Sequence, residues 1–458
     1  MKLKKISHLL LLLTSGCFVL LSGCGAANNS GSSAIADGHR PTSTSTVRSA
    51  TSTSTTRATD CPATGTMRAV NMPAETSTAQ PAVFYLTLWG GVQSGLNPLN
   101  LIRYDLTTGK ATTILTFSGF AVGNLPMVHL SPDKHWLLIM NGNDTAHISS
   151  VQLMRTDGTQ LQTLTCSSSN FGLSADWLPD GKQVAITRDR YDQQQNAEVY
   201  TVEAFNLATG KAQTVLSGDY APYVWLDDHR LVVEKITTNT NTPDKTDFFL
   251  FDTNNGSHQK LTNLTHIASF ATWGTLLYGD VAVSSDSSQL FISSFNQAKT
   301  NPANCRGATS QGPGTLNAYV IKGGSTPTIH TIYSNQGHAI LTMQPVSSQT
   351  LLMYIENNIG DQSQNGLWKI NTDGTGLTRL TTANDPQCRD LNYREWAPQI
   401  VSNGQSYAFV QTDFFSTGEI LSIVLGKLSG GTPTTIATSA HVSPKAGVEG
   451  FLQLVGMA

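Results

Sequence analysis

Trp177-Leu178-Pro179-Asp180-Gly181-Lys182, followed by Gln183-Val184-Ala185-Ile186-Thr187, is the stretch from which the fold can be read. A proline presets φ, Asp and Gly complete a tight turn, and an apolar strand follows at once. The same shape stands at Leu130-Ser131-Pro132-Asp133 ahead of Trp136-Leu137-Leu138-Ile139-Met140. Looser copies precede Leu231-Val232-Val233, Leu290-Phe291-Ile292, Leu351-Leu352-Met353-Tyr354 and Tyr407-Ala408-Phe409-Val410. Between these turns lies a second element: two alternating strands joined through Gly. Examples are Leu101 to Leu115 around Thr107-Thr108-Gly109 and Glu203 to Leu216 around Ala208-Thr209-Gly210. Asx-Gly and Gly-Gly pairs tolerate the positive φ of a hairpin turn, so they mark where the chain reverses. The turn glycines at 109, 158, 210, 256, 324, 374 and 431 are 49, 52, 46, 68, 50 and 57 residues apart.

Two strands at each glycine hairpin and one on either side of each Pro-Asp turn make four strands per unit. Four-stranded units recurring at this period predict an all-β chain folded as a β-propeller, whose closed ring leaves only short edges. The motifs over residues 81–458 resemble those of the TolB-like, WD40-like (PD40) propellers, with the best match at Trp177 to Thr187 and the proline absent from the later copies. Counting hairpins gives seven four-stranded blades; six or eight blades and a pair of β-sandwiches are the competing arrangements. The domain begins on Val83-Phe84-Tyr85-Leu86-Thr87-Leu88 with no Ser-Pro-Asp turn before it. It ends on Ser443-Pro444-Lys445 and the apolar run Gly450 to Val455. These ends read as complementary parts of one blade, predicting a ring closed by strands from both ends of the domain.

Ahead of the repeats, Lys2, Lys4 and Lys5 precede an apolar run from Leu9 to Leu21, the pattern of an export signal. Leu21-Ser22-Gly23-Cys24 resembles a bacterial lipobox, which implies cleavage after residue 23 and a diacylglyceryl group on Cys24. A plain secretory signal is the alternative. Residues 24–80 are rich in Ser, Thr, Ala, Asn and Gly and read as a disordered tether with an end-to-end distance of roughly 40 Å. The three segments are therefore a signal peptide (1–23), a tether (24–80) and a propeller (81–458). The expected location is the outer side of the cytoplasmic membrane or the cell envelope, with the lipid as membrane partner.

Net charge is −3, and no basic patch points to nucleic acid. No apolar stretch after the signal approaches spanning length. Cys61, Cys166, Cys305 and Cys388 allow three pairings in an exported chain. Cys305 with Cys388, each in a loop-like insertion and each followed by Arg, is the favoured pair, and free thiols are the alternative.

The catalytic signatures Gly-x-Ser-x-Gly, His-Glu-x-x-His, Cys-x-x-Cys and the phosphate-binding P-loop are absent from the sequence. No catalytic residue, cofactor or metal ligand is assigned. Asp252-Thr253-Asn254-Asn255-Gly256 lacks the spacing of a calcium loop and reads as a hairpin turn. Three polar clusters are candidate binding loops: Arg188, Arg190 and Tyr191; Asp228 and His229; and Arg389, Arg394 and Trp396. Arg and aromatic side chains are enriched at binding hot spots, whereas turn polarity also serves solvation and packing. His129, His147 and His266 read as satisfied strand or loop residues.

Two functions fit. One is a monomeric, non-catalytic binding or scaffolding propeller; the TolB-like resemblance implies protein or peptide partners in the cell envelope. The other is a propeller enzyme or carbohydrate binder, hydrolase- or lyase-like, acting on wall or extracellular polymers, with acids such as Asp176, Asp227 and Glu395 converging from separate blades.

Overall fold

A computed structural model describes residues 61–62, 67–72, 78–88, 99–117, 125–143, 148–167, 173–192, 197–239, 242–261, 267–268, 276–297, 310–321, 327–357, 361–382, 399–415, 418–439 and 451–458. Seven antiparallel sheets, each with four strands in line, form a ring. Among the described residues there is no helix. The strands of blade two run Met127–Leu130, Trp136–Asn143, Ile148–Arg155 and Gln162–Ser167 from the ring axis outward. Blade three repeats this with Leu173–Trp177, Gln183–Asp192, Ala197–Asn206 and Lys211–Gly218. Blade four adds to its four strands a short pairing of Ile267–Ala268 with Thr242–Asp252.

Blade one closes the ring. Its inner strand is Phe451–Met457, from the far end of the chain, hydrogen-bonded to Ala82–Leu88 with Val83 opposite Met457 and Leu88 opposite Phe451. The expected closure by strands from both ends is therefore present. Gly456 makes it possible: a Cβ there would stand 2.8 Å from Leu130 Cβ on the next inner strand.

The continuous apolar runs follow from burial on both sheet faces. In blade two, Leu137 and Ile139 enter a cluster shared with blade one, while Trp136, Leu138 and Met140 enter one shared with blade three. Seven such clusters lie at the seven interfaces between blades, including the closing one, where Val83, Tyr85, Leu452 and Leu454 meet Ala408 and Ile423.

The Ser-Pro-Asp turn has a mechanical cause. Asp133 Oδ1 accepts the Ser131 hydroxyl and the His135 N–H, and Ser131 Oγ accepts the Trp136 N–H at 2.9 Å. Ser284, Asp286, Ser288 and Gln289 repeat this network in blade five. The residue after the Asp takes a positive φ in each described copy of this form, 67° at Lys134, 67° at Gly181 and 59° at Ser287. Gly109, Gly158, Gly210, Gly256, Gly374 and Gly431 all take positive φ in the outer hairpins, and Asp252 to Gly256 is one of those hairpin turns.

One boundary is corrected. The tether was expected to run to residue 80, but residues 67–72 dock on the ring. The Arg68 N–H donates to the Leu164 carbonyl and the Val70 N–H to the Leu207 carbonyl. Asn71 and Gln162 exchange two hydrogen bonds, and Val70 is buried in the cluster of Trp136, Trp177 and Phe205. Three apolar side chains, Met67, Val70 and Met72, provide the contact within an otherwise polar segment. A disulfide joins Cys61 to Cys166, with Cα atoms 5.6 Å apart. The favoured pair, Cys305 and Cys388, lies outside the described residues, as does Cys24.

Candidate functional site

Antiparallel order gives the ring two unlike faces. Strands three to four of every blade, and strands one to two of every blade but the first, are joined on one face. Strands two to three, and each step to the next blade, connect on the other. On the first, the turn face, the longest connection is residues 321–327. On the second, the loop face, residues 89–98, 298–309, 380–399 and 439–450 all intervene between strands. The connections longer than seven residues are thus all on one face of the disc.

The candidate clusters divide between these faces. Arg188, Arg190 and Tyr191 lie in a strand rather than a loop, since Gln183–Asp192 pairs with Ala197–Asn206 as far as Asp192 with Ala197. Their end of the strand reaches the loop face. Arg188 is held by Glu203, with Nε to Oε2 at 3.5 Å, and Arg190 is exposed. Beside them the Tyr200 hydroxyl donates to Glu198 Oε2. Burial, that bond and the nearby charges of Glu198, Asp189 and Glu234 push the Tyr200 hydroxyl far above its usual range. Burial and Glu198 also raise the Asp189 carboxyl.

Asp228 and His229 stand on the opposite, turn face. Asp228 Oδ1 accepts the Asp180 N–H at 3.0 Å, tying the turn of blade four to that of blade three. Asp227 caps its own turn, accepting the His229 and Arg230 N–H groups and Arg230 Nε at 2.6 Å. His229 Nδ1 lies 3.2 Å from the same carboxylate. One carboxylate oxygen of Asp228 thus serves the backbone of the neighbouring turn, while the His229 ring faces the Asp227 carboxylate and stays partly exposed. Arg389, Arg394, Trp396, His147, His266 and Glu395 lie outside the described residues.

Sequence reasoning missed the pairing of two residues that it named, His129 and Asp176, and left His338 and Arg379 unread. His129 and Asp176, on the inner strands of blades two and three, pair at 3.0 Å. Asp176 also accepts the Trp177 N–H, and Trp177 Nε1 donates to the His129 carbonyl. Burial lowers the His129 pKa, but the Asp176 charge and hydrogen bond outweigh it and leave the imidazole above its ordinary value. At the loop-face start of blade six, His338 is 3% exposed, and neither ring nitrogen has a hydrogen-bond partner among the described residues. Burial, with Arg379 acting in the same direction against Asp361, holds His338 below the usual imidazole range. Arg379 itself donates to the carbonyls of Thr381, Ser363 and Asn365, and its guanidinium lies 5.5 Å from the Trp368 ring centroid. Together with Thr381, Gln411, Val424 and Thr435 it lines an open cleft of about 570 Å³ between blades six and seven. No local signal announces these groups, because His129 and Asp176 are 47 positions apart and meet only once the ring forms. Among the described residues, no three His, Cys, Asp or Glu side chains converge as a metal site.

No protein-family model matches the chain, and no curated protein matches it. Solved structures do. A prolyl endopeptidase structure aligns with a TM-score of 0.50 at 10% identity, over 85% of this chain and 50% of that one. The propeller domain of the Trilobed protease from Pyrococcus furiosus aligns at 0.48 and 10% identity, over 79% and 97%. TolB from Acinetobacter baumannii aligns at 0.37 and 13% identity, over 81% of each chain. The chain thus spans about half the length of the prolyl endopeptidase it matches. At 10% identity the likeness to the prolyl endopeptidase structure is one of fold alone; the seven blades are read from the chain's own sheets.

Proposed function

We propose that the protein is a lipid-anchored, extracytoplasmic propeller that binds an envelope protein or peptide through its loop face and catalyses no reaction. The observation that carries the reading is the asymmetry of the disc. All connections longer than residues 321–327 emerge on one side, while the other side consists of short turns held by their own Asp, Asn and Ser side chains. A surface on which only one face varies in length is suited to recognition through that face.

The Cys61–Cys166 disulfide supports the extracytoplasmic location, because such bonds persist in oxidising compartments. The lipobox-like Leu21 to Cys24 supports the anchor. Against the enzyme or carbohydrate-binding alternative, two of the acids that sequence suggested are engaged within the fold: Asp176 by His129 and Trp177, and Asp227 by its own turn.

In-cell crosslinking of the anchored protein, followed by mass spectrometry, tests the reading. A specific envelope protein whose capture is lost in Arg190→Glu or Arg394→Glu, and kept in His229→Ala, is the expected result. Capture of no protein, together with retention on wall polymers, favours the carbohydrate-binding alternative and refutes the proposal.

A further inference from the structure

Residues 67–72 and the Cys61–Cys166 bond lie on the path by which a pull on the N-terminal segment reaches the ring. The strap follows the outer strand of blade two. Cys61 joins Cys166 near that strand's loop-face end, Arg68 bonds Leu164 midway, and Asn71 bonds Gln162 at its start. It crosses towards blade three, where Gly210 leaves space for Ala69; a Cβ at Gly210 would stand 3.1 Å from Ala69 Cβ. Ten residues after Met72 the chain becomes Ala82–Leu88, the strand hydrogen-bonded to the C-terminal Phe451–Met457. That pair is the one place where blade one is completed by a remote part of the chain. Every other blade takes its four in-line strands from consecutive sequence.

We propose that the disulfide is a tension bypass that shields the ring-closing strand pair from force applied to the N-terminal tether. Without the bond, a pull at residue 60 runs along the strap, then into Ala82–Leu88, and would separate Val83 from Met457 and its neighbouring pairs. With the bond, the covalent path goes from Cys61 directly to Cys166 and on through residues 168–172 into blade three. Residues 62–165 and the whole C-terminal strand are then off the path. The docked strap alone is a non-covalent guard, held by two backbone hydrogen bonds, the two Asn71–Gln162 bonds and the contacts of Met67, Val70 and Met72. The inference rests on the anchored reading for its purpose, because an anchored binder is pulled between lipid and partner; its physical content does not depend on lipidation.

The test holds the chain from residue 24 onward by its N-terminus and by a handle at Asn254, an exposed position on the turn face of blade four. The lifetime of the ring is measured at constant force in a single-molecule trap. The oxidised protein is expected to outlast Cys61→Ala/Cys166→Ala by about tenfold or more, a difference that a modest change in barrier produces. In the variant, the first extension should correspond to release of the strap and Ala82–Leu88. Reduction of the folded, unmodified protein gives the same comparison if the double variant does not fold. Val70→Asp with the disulfide intact is expected to leave the lifetime unchanged. Equal lifetimes with and without the bond overturn the proposal, as does a Val70→Asp protein that opens as readily as the disulfide-free one. Release of Cys24→Ala from the membrane leaves the force result unaffected, and retention of Cys24→Ala removes the anchored reading alone.

Discussion

Deleting residues 451–458 tests ring closure most directly. The deletion removes the strand opposite Ala82–Leu88, with six residue pairings from Val83–Met457 to Leu88–Phe451. It also removes Leu452 and Leu454, each 6% exposed, and Met457 at 2%. Burying a side chain of this size contributes about 1.5–3 kcal/mol, so three contribute roughly 5–9 kcal/mol before any hydrogen bond is counted. Domains of this kind are stable by about 5–15 kcal/mol in total, so the loss is comparable with the whole. The open Ala82–Leu88 would also become an unpaired apolar edge prone to association. Circular dichroism and calorimetry should show a truncated protein that is unfolded or aggregated. Leu454→Ala gives the graded version: a side chain buried between blades one and seven is shortened, at a cost of about 2–5 kcal/mol. A truncated protein that melts within about 2 °C of the intact one would refute the closure argument, because on this scale 1 kcal/mol moves the melting temperature by degrees.

Three further outcomes follow from individual side chains. Asp228→Ala removes the acceptor of the Asp180 N–H and should cost about 1 kcal/mol in denaturant unfolding without reducing partner capture, since it acts on the turn face. Acid sensitivity should trace in part to His338: its folded pKa is depressed, so the unfolded chain binds the proton first and stability falls as pH drops below about 6.5. His338→Gln should flatten that slope; an unchanged slope from pH 7 to 5 would remove His338 as its source. Cys24→Ala should move the protein from the membrane to the soluble fraction, and membrane retention would contradict lipid attachment at that residue.

The blade pattern was legible because its causes are local. A Pro-Asp turn and a glycine hairpin each act within a few residues, and burial on both sheet faces turns Trp136 to Met140 into an unbroken apolar run. What escaped the sequence depends on distance along the chain. Cys61 meets Cys166 across 105 positions, and no spacing rule ranks that pair above the others. Val70 is one buried valine in a Ser/Thr-rich segment, and its partners Trp136, Trp177 and Phe205 come from two blades. Asp228 resembles a recognition residue in sequence because it is a carboxylate exposed on a turn, and only the neighbouring blade supplies the Asp180 N–H that engages it.

That contrast bears on where recognition residues are to be sought. On the turn face, polar side chains are placed by the backbone they cap, so Asp133, Asp180, Asp227, Asp286 and Asn403 recur at one position because the turn needs an acceptor there. Their recurrence is therefore a sign of folding and carries no information about a ligand. On the loop face such capping occurs without that repetition, at Asn335 and Asp361, and the groups near it differ from blade to blade: Tyr200 with Glu198 in blade three, His338 and Arg379 in blade six. Irregularity among repeats is thus the more useful guide. It turns attention from the repeated Asp-bearing turns to Arg190 and to residues 380–399, the longest interruption of the repeat.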